Sequence, residues 1–232
     1  MIPPVPPPLL VAEPPPPPPK VKPPVSRVSQ EEVIRFPQIG AVRVSAHEGK
    51  DLELTFTDEK SGEKLLTSYL GSFQWTRSDD NYAEWNPKLR FKAISVHGLP
   101  DPLVIAIAVD PGVSDSAWQA VAVGAVRGQL ERLNWETLES SNEGGFFFGD
   151  LGHGLGLGAA QWDFVWGEDE GHIGPHKYEV KFLKWTGRRF EWLKVFRTRG
   201  EFEFGEDALR ANGYHFMDIK GSFPGWPGID SE

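Results

Sequence analysis

"HKYEVKFLKWTGRRFEWLKVFRTR", residues 176–199, alternates apolar and polar side chains on both sides of Thr186-Gly187. Alternation with period two is the strand period, and a glycine-containing break between two such runs reads as a hairpin. Val180, Phe182 and Lys184 fall on one face of the first strand; Lys181, Leu183 and Trp185 fall on the other. The same reading extends outward in both directions. "AVRVSA" (41–46) and "DLELTFT" (51–57) alternate around a turn in "AHEGKD". "EKLLTSYLGSFQW" (63–75) reads as a strand or two, and "KLRFKAISV" (88–96) alternates again.

"LVIAIAVD" (103–110) is continuously apolar up to Asp110 and bounded by prolines, the pattern of a strand buried on both faces. "WQAVAVGAVRGQLERLNW" (118–135) reads as a strand pair broken near Arg127-Gly128. A helix is the alternative there, but the glycines and the valine enrichment favour strands. Two exceptions to the strand pattern stand out. Ser29-Gln30-Glu31-Glu32 has the form of a helix capping box, cut short by Pro37. "GEDALRANG" (205–213) predicts one short helix, with acids in its first turn, Arg210 near its end and Gly213 closing it.

About a dozen strands at regular spacing predict an all-β, mainly antiparallel fold, either a sandwich or propeller-like sheets, with one short C-terminal helix. Nine Trp and fifteen Phe give it an aromatic core. Residues 1–25, "MIPPVPPPLLVAEPPPPPPKVKPPV", stand apart. Proline fixes φ and lacks an N–H, so this tract predicts a polyproline II arm ahead of a single β domain spanning 26–232. Three roles suit it: a semi-rigid spacer, a ligand for an SH3- or WW-like groove, or a strap docked on a partner. Pro14, Pro15, Pro16, Pro17, Pro18 and Pro19 are its candidate partner-binding residues.

The 232-residue chain carries a net charge of −9, which argues against nucleic acid and acidic lipid as partners. Its basic stretch "TGRRFEWLKVFRTR" (186–199) reads as the solvated face of two strands. No run approaches the length of a membrane helix, so the expectation is no membrane span in this chain. No signal-peptide pattern is visible at the start. The chain has no cysteine, which removes thiolate metal sites, disulfides and cysteine nucleophiles.

The glycine-rich stretch "GDLGHGLGLG" (149–158) is the natural place to look for a phosphate loop. Its glycines fall at every second residue, the dinucleotide fingerprint would need glycine where Leu157 stands, and "AAQWDFVW" after it is strand-like. Period two instead predicts an extended segment with glycines on one face, allowing close approach of neighbouring aromatic strands, and the plainer reading is a glycine-rich turn of an aromatic β-protein. Asp150 alone is too few carboxylates for a calcium loop.

His153, His172 and His176, with the acids of "EDEGHIGPH" (168–176), are the candidate metal ligands, against the plainer reading of a solvated acidic loop. Ser114, Asp115 and Ser116 follow the buried strand but have no assignable base, and read as turn formers. Trp75, Trp85 and Trp226 sit in loop-like contexts and are the candidates for stacking on a sugar.

Taken in order, "LPDPLVIAIAV", "GGFFFGDLGHGLG" and the hairpin quoted first resemble uncharacterised bacterial envelope proteins related to FG-GAP or VCBS β-repeat proteins, over about residues 99–209. The resemblance implies an exported protein without enzymatic activity. The acids that hold calcium in those repeats are mostly missing. The resulting expectation is a non-enzymatic, extracytoplasmic accessory or interaction protein with a protein partner and no cofactor, in the periplasm or cell envelope. An extrinsic subunit of a membrane-associated complex fits this description, and a cytoplasmic location stays open. The alternatives are a β module binding a glycan or small molecule, and a metal-dependent enzyme built on the His/acid loop.

Overall fold

A computed structural model describes residues 26–49, 51–71, 87–110, 117–141, 143–165 and 174–223. They form three antiparallel meanders, each with four strands in sequence order. The first sheet holds β1 (Arg27–Phe36), β2 (Gly40–Glu48), β3 (Leu52–Asp58) and β4 (Lys64–Gly71). The second holds β5 (Lys88–Ile94), β6 (Leu103–Asp110), β7 (Ala117–Val126) and β8 (Gln129–Arg132), with the short β9 (Leu138–Ser140) also paired to β7. The third holds β10 (Gly145–Asp150), β11 (Leu157–Phe164), β12 (Tyr178–Trp185) and β13 (Phe190–Arg197). One helix, α1 (Gly205–Ala211), and a 3-10 turn (Ile219–Ser222) follow.

The sheets stack face to face, and the apolar run in β6 shows why. Val104, Ala106 and Ala108 pack with Phe36, Phe56 and Val44 of the first sheet. Ile105, Ile107 and Val109 pack with Phe146, Phe148 and Phe190 of the third. The second sheet is therefore the filling of a two-sided sandwich, which is why β6 has no polar face. Alanines on β6 and β7 oppose phenylalanines on the outer sheets, so large and small side chains interdigitate. The far face of the third sheet buries Trp162, Tyr178 and Phe182 under α1 and Phe216. The far face of the first sheet is solvated, with Arg43 paired to Glu31 and Glu59.

Two local expectations are overturned. Ser29–Glu32 is not a helix start but the middle of β1. Tertiary pairing wins there: β1 aligns with β2 from Arg27 to Phe36, and the Gln30 amide is used by β5. The glycine-rich stretch is not extended either. Gly152, His153, Gly154 and Gly156 all have positive φ, between 48° and 74°. They make the tight turn that closes the β10–β11 hairpin, with Leu151 N–H donating to Gly156 O and Leu155 N–H to Gly152 O, each at 2.9 Å. Open space surrounds the Cβ positions of Gly152, Gly154 and Gly156, so these glycines serve the backbone angle rather than close packing. Gly149 and Gly158, at the two ends of the stretch, fit the packing reading: an added Cβ would crowd the Phe147 ring at Gly149 and overlap the Leu183 carbonyl oxygen across β12 at Gly158.

Candidate functional site

Sheets two and three part company at one end, and a cleft of about 310 Å³ opens there. Its floor is the inner face of the third sheet. By register, Gln161 and Asp163 on β11, Glu179 and Lys181 on β12, and Arg197 on β13 share that face with the buried Ala159 and the half-buried Leu183. The face thus runs from apolar, where the second sheet covers it, to charged, where the cover stops. Glu139 on β9 forms the opposite wall, and the Gln161 amide donates to its backbone carbonyl. Within the cleft the Arg197 guanidinium meets Glu179 at 2.8 Å, and the Lys181 ammonium lies 3.8 Å from the same carboxylate.

Beneath the cleft lies a buried polar network that joins distant parts of the chain. Asp163 accepts from Ser141 Oγ at 2.6 Å, from Ser141 N–H at 3.0 Å and from Phe164 N–H at 2.9 Å. Lys220, only 4% exposed, donates to the carbonyls of Ser141 at 2.8 Å and Gly144 at 2.5 Å. Its ammonium sits 3.5 Å from Asp218 and 5.1 Å from the centre of the Trp118 ring. Asp218 in turn caps the 3-10 turn and accepts from Phe146 N–H at 3.0 Å. Burial pushes the Asp163 and Asp218 carboxyls above the ordinary aspartate value and holds the Lys220 ammonium below the ordinary lysine value. These groups spend their hydrogen bonds on backbone, so their work is to pin the β9–β10 connection and the C-terminal tail to the end of the cleft.

Exposed apolar and cationic groups gather beside the cleft on β13. Trp192 is 61% exposed and Val195 is 43% exposed; register sets them across from Leu183 and Lys181, on the cleft face. Trp135, next to the start of β13, is 80% exposed and carries the Arg189 guanidinium over its ring at 5.6 Å. Residues 176–199 hold eight Lys and Arg against two Glu, a net +6 inside a chain of net −9.

Of the residues singled out from sequence, two are in the described part. His153 lies exposed in the β10–β11 turn, its Nε2–H donating to Gly213 O at 2.9 Å while its ring leans on Tyr214. It ties the turn to the end of α1. His176 is buried against Phe164, and its backbone pairs with Phe202. Among the described residues no group of three His, Asp or Glu has the spacing to hold a metal ion. His172, Ser114, Asp115, Ser116, Trp75, Trp85, Trp226 and Pro14 to Pro19 lie outside the described residues.

Sequence reasoning missed the exposed pair Trp135 and Trp192. Trp192 sits in an alternating strand, where a tryptophan reads as core. It lies instead on the last strand of the third sheet and is 61% exposed. It also missed Ser141, Asp218 and Lys220, whose partners lie 22 to 79 residues away in the chain. No described helix is long and apolar enough to cross a membrane. Comparison with protein-family models, with curated proteins and with solved structures finds no match. The likeness to FG-GAP and VCBS proteins rests on the quoted residues alone.

Proposed function

We propose that this is a non-enzymatic interaction protein of an extracytoplasmic, envelope-associated assembly, and that the β12–β13 hairpin is its contact surface. The proline-rich segment would space this surface from its anchor or dock on the same partner. The observation that supports the reading is the concentration of cationic side chains, with the exposed Trp192 and Val195 among them, on one hairpin of an acidic protein. Tryptophan and arginine dominate the energetics of protein contacts, because each joins a large desolvated area to a directional polar group. The compartment is supported only by the resemblance of residues 99–209. The test is affinity purification from the native source, comparing the wild type with a W192S/K194E variant. A partner held by the wild type and lost from the variant supports the reading; identical co-purifying sets sink it.

A second reading, a module for a glycan or other small polar ligand, is favoured by the cleft itself. Its paired Glu179, Lys181 and Arg197 share a sheet face with the exposed Trp192 farther along β13. A sugar would stack on the ring and exchange hydrogen bonds with the charged floor. A glycan array without hits, together with unchanged tryptophan fluorescence on titration with the same sugars, would remove it.

A further inference from the structure

A stack of meanders leaves strand edges whose outward N–H and C=O groups need partners or water. This protein gives several of those edges dedicated side chains. On β5, the Gln30 amide donates to Phe91 O at 2.8 Å and accepts from Phe91 N–H at 2.9 Å, and Glu48 accepts from Leu89 N–H at 2.9 Å. On β10, Asp218 accepts from Phe146 N–H. On β4, the Arg132 guanidinium donates to Tyr69 O at 2.8 Å.

The outer edge of β13 is built differently. Phe190 N–H donates to Leu133 O at 2.7 Å, but among the described residues no group outside β12 bonds the backbone from Glu191 to Arg197. The side chains along this edge divide by face. Trp192 and Val195 stand on the cleft face, and Lys194 stands on the other, its ammonium over the Phe182 ring at 5.1 Å. The surrounding hairpin carries the net +6 noted above.

We propose that β13 is a docking edge for an acidic peptide segment in extended conformation, which joins the third sheet as a fifth strand. This deepens the interaction-protein reading and rests on it. An added strand meets the unpaired backbone of residues 191–197 with its own N–H and C=O groups. With a period of two, its apolar side chains meet Trp192 and Val195 on the cleft face while its carboxylates meet Lys194 on the other. A second copy of this chain is a poor occupant, because two β13 edges would bring like charges together. A nucleic acid would use the charge but leave the backbone donors and acceptors unmet.

The test uses the full chain and a fluorescent synthetic peptide alternating Glu and Val, followed by anisotropy. Three controls accompany it: the same peptide N-methylated at alternate residues, a Lys/Val peptide, and an oligothymidylate of equal charge. The expected result is saturable binding of the Glu/Val peptide, a loss of about tenfold or more on N-methylation, and none by the Lys/Val peptide. Amide exchange across residues 191–197 should slow when the peptide is saturating. The inference is overturned if the Glu/Val peptide does not bind, if N-methylation leaves its affinity unchanged, or if the oligothymidylate binds more tightly. N-methyl-insensitive binding that K194E still weakens would remove strand addition while leaving the hairpin as an interaction surface. Loss of the native partner contrast between wild type and W192S/K194E would remove the surface itself.

Discussion

Replacing Asn134 by leucine tests how the second sheet is held open and how β13 is anchored to it. β7 pairs with β8 through Val123 to Val126 and with β9 through Trp118 to Ala120, which leaves a gap at Val121 and Ala122. The fully buried Asn134 side chain fills that gap as a strand residue would. Its Oδ1 accepts from Ala122 N–H at 2.7 Å, and its Nδ2 donates to Ala120 O at 3.1 Å and to Glu136 O at 2.8 Å. Leucine has nearly the same shape but no polar atom. Glu136 is exposed and its carbonyl can turn to water, but Ala120 and Ala122 are fully buried. Two orphaned backbone groups cost about 2–6 kcal/mol, a large share of the roughly 5–15 kcal/mol that holds a domain together.

Aspartate at the same position separates this account from a packing effect. A carboxylate still accepts from Ala122 N–H but faces two carbonyl oxygens, so the site favours its protonated form. The folded state then binds that proton more tightly than the unfolded chain, whose aspartate titrates near about 3.9. Stability falls as pH rises past that value, so N134D should lie closest to the wild type in acid and fall away towards neutrality. Urea unfolding at acid and neutral pH measures both variants. The account fails if N134L lies within about 0.5 kcal/mol of wild type, the range of an ordinary surface change. It fails equally if the gap between N134D and wild type is the same at both pH values.

Three further expectations follow from the same geometry. G158A should cost about 1–3 kcal/mol, because its Cβ meets the Leu183 carbonyl oxygen, while G154A should cost only the left-handed penalty of about 1–2 kcal/mol and leave the β11–β12 amides protected in hydrogen exchange. Burial opposes the charge on Glu48, but the Leu89 N–H, Arg27 and Arg90 outweigh it and hold the carboxyl below the ordinary glutamate value. Its contribution is present above the unfolded value of about 4.3 and lost as pH falls through the lower folded value, so E48Q should be destabilised at neutral pH and match wild type in strong acid on thermal melts. K220M removes the ammonium that donates to the carbonyls of Ser141 and Gly144 and pairs with the buried Asp218 carboxylate, for an expected loss of about 3–5 kcal/mol. K220M/D218N should recover part of that loss, and a double variant no better than K220M would show that the pair is not coupled.

The strands were legible because period two is written residue by residue. β6 could be read as doubly buried because seven consecutive apolar positions, Leu103 to Val109, leave no polar face, and α1 because its acids, Arg210 and Gly213 sit at the ends that the helix dipole and the left-handed cap require. The failures share a cause. "SQEE" has the local chemistry of a helix start, yet pairing with β2 along the whole of β1 outweighs the one or two turns that Pro37 would permit. The glycines of 152–156 match strand spacing by coincidence. What they supply is a sign of φ, and the sequence spacing of glycines carries no information about that sign.

The proposed contact surface was hidden for a deeper reason. β12 and β13 alternate alike, and nothing within either segment says which of them has a neighbour on both sides. Tyr178, Val180 and Phe182 are buried because β11 lies beside β12 and α1 covers that face. Trp192 and Val195 carry the same kind of side chain on the last strand of the meander, on the opposite, cleft face, and stand largely in solvent. Edge status belongs to the order of strands, not to any one strand. The basic residues of 186–199 therefore read as a solvated face, and only the topology turns them into cations flanking an open backbone edge. If that edge had been selected solely to resist self-association, charge alone would suffice, and an exposed tryptophan in the middle of it would work against the purpose. The pairing of Trp192 with the surrounding cations is what an edge that accepts a particular strand requires and what an edge that merely repels does not.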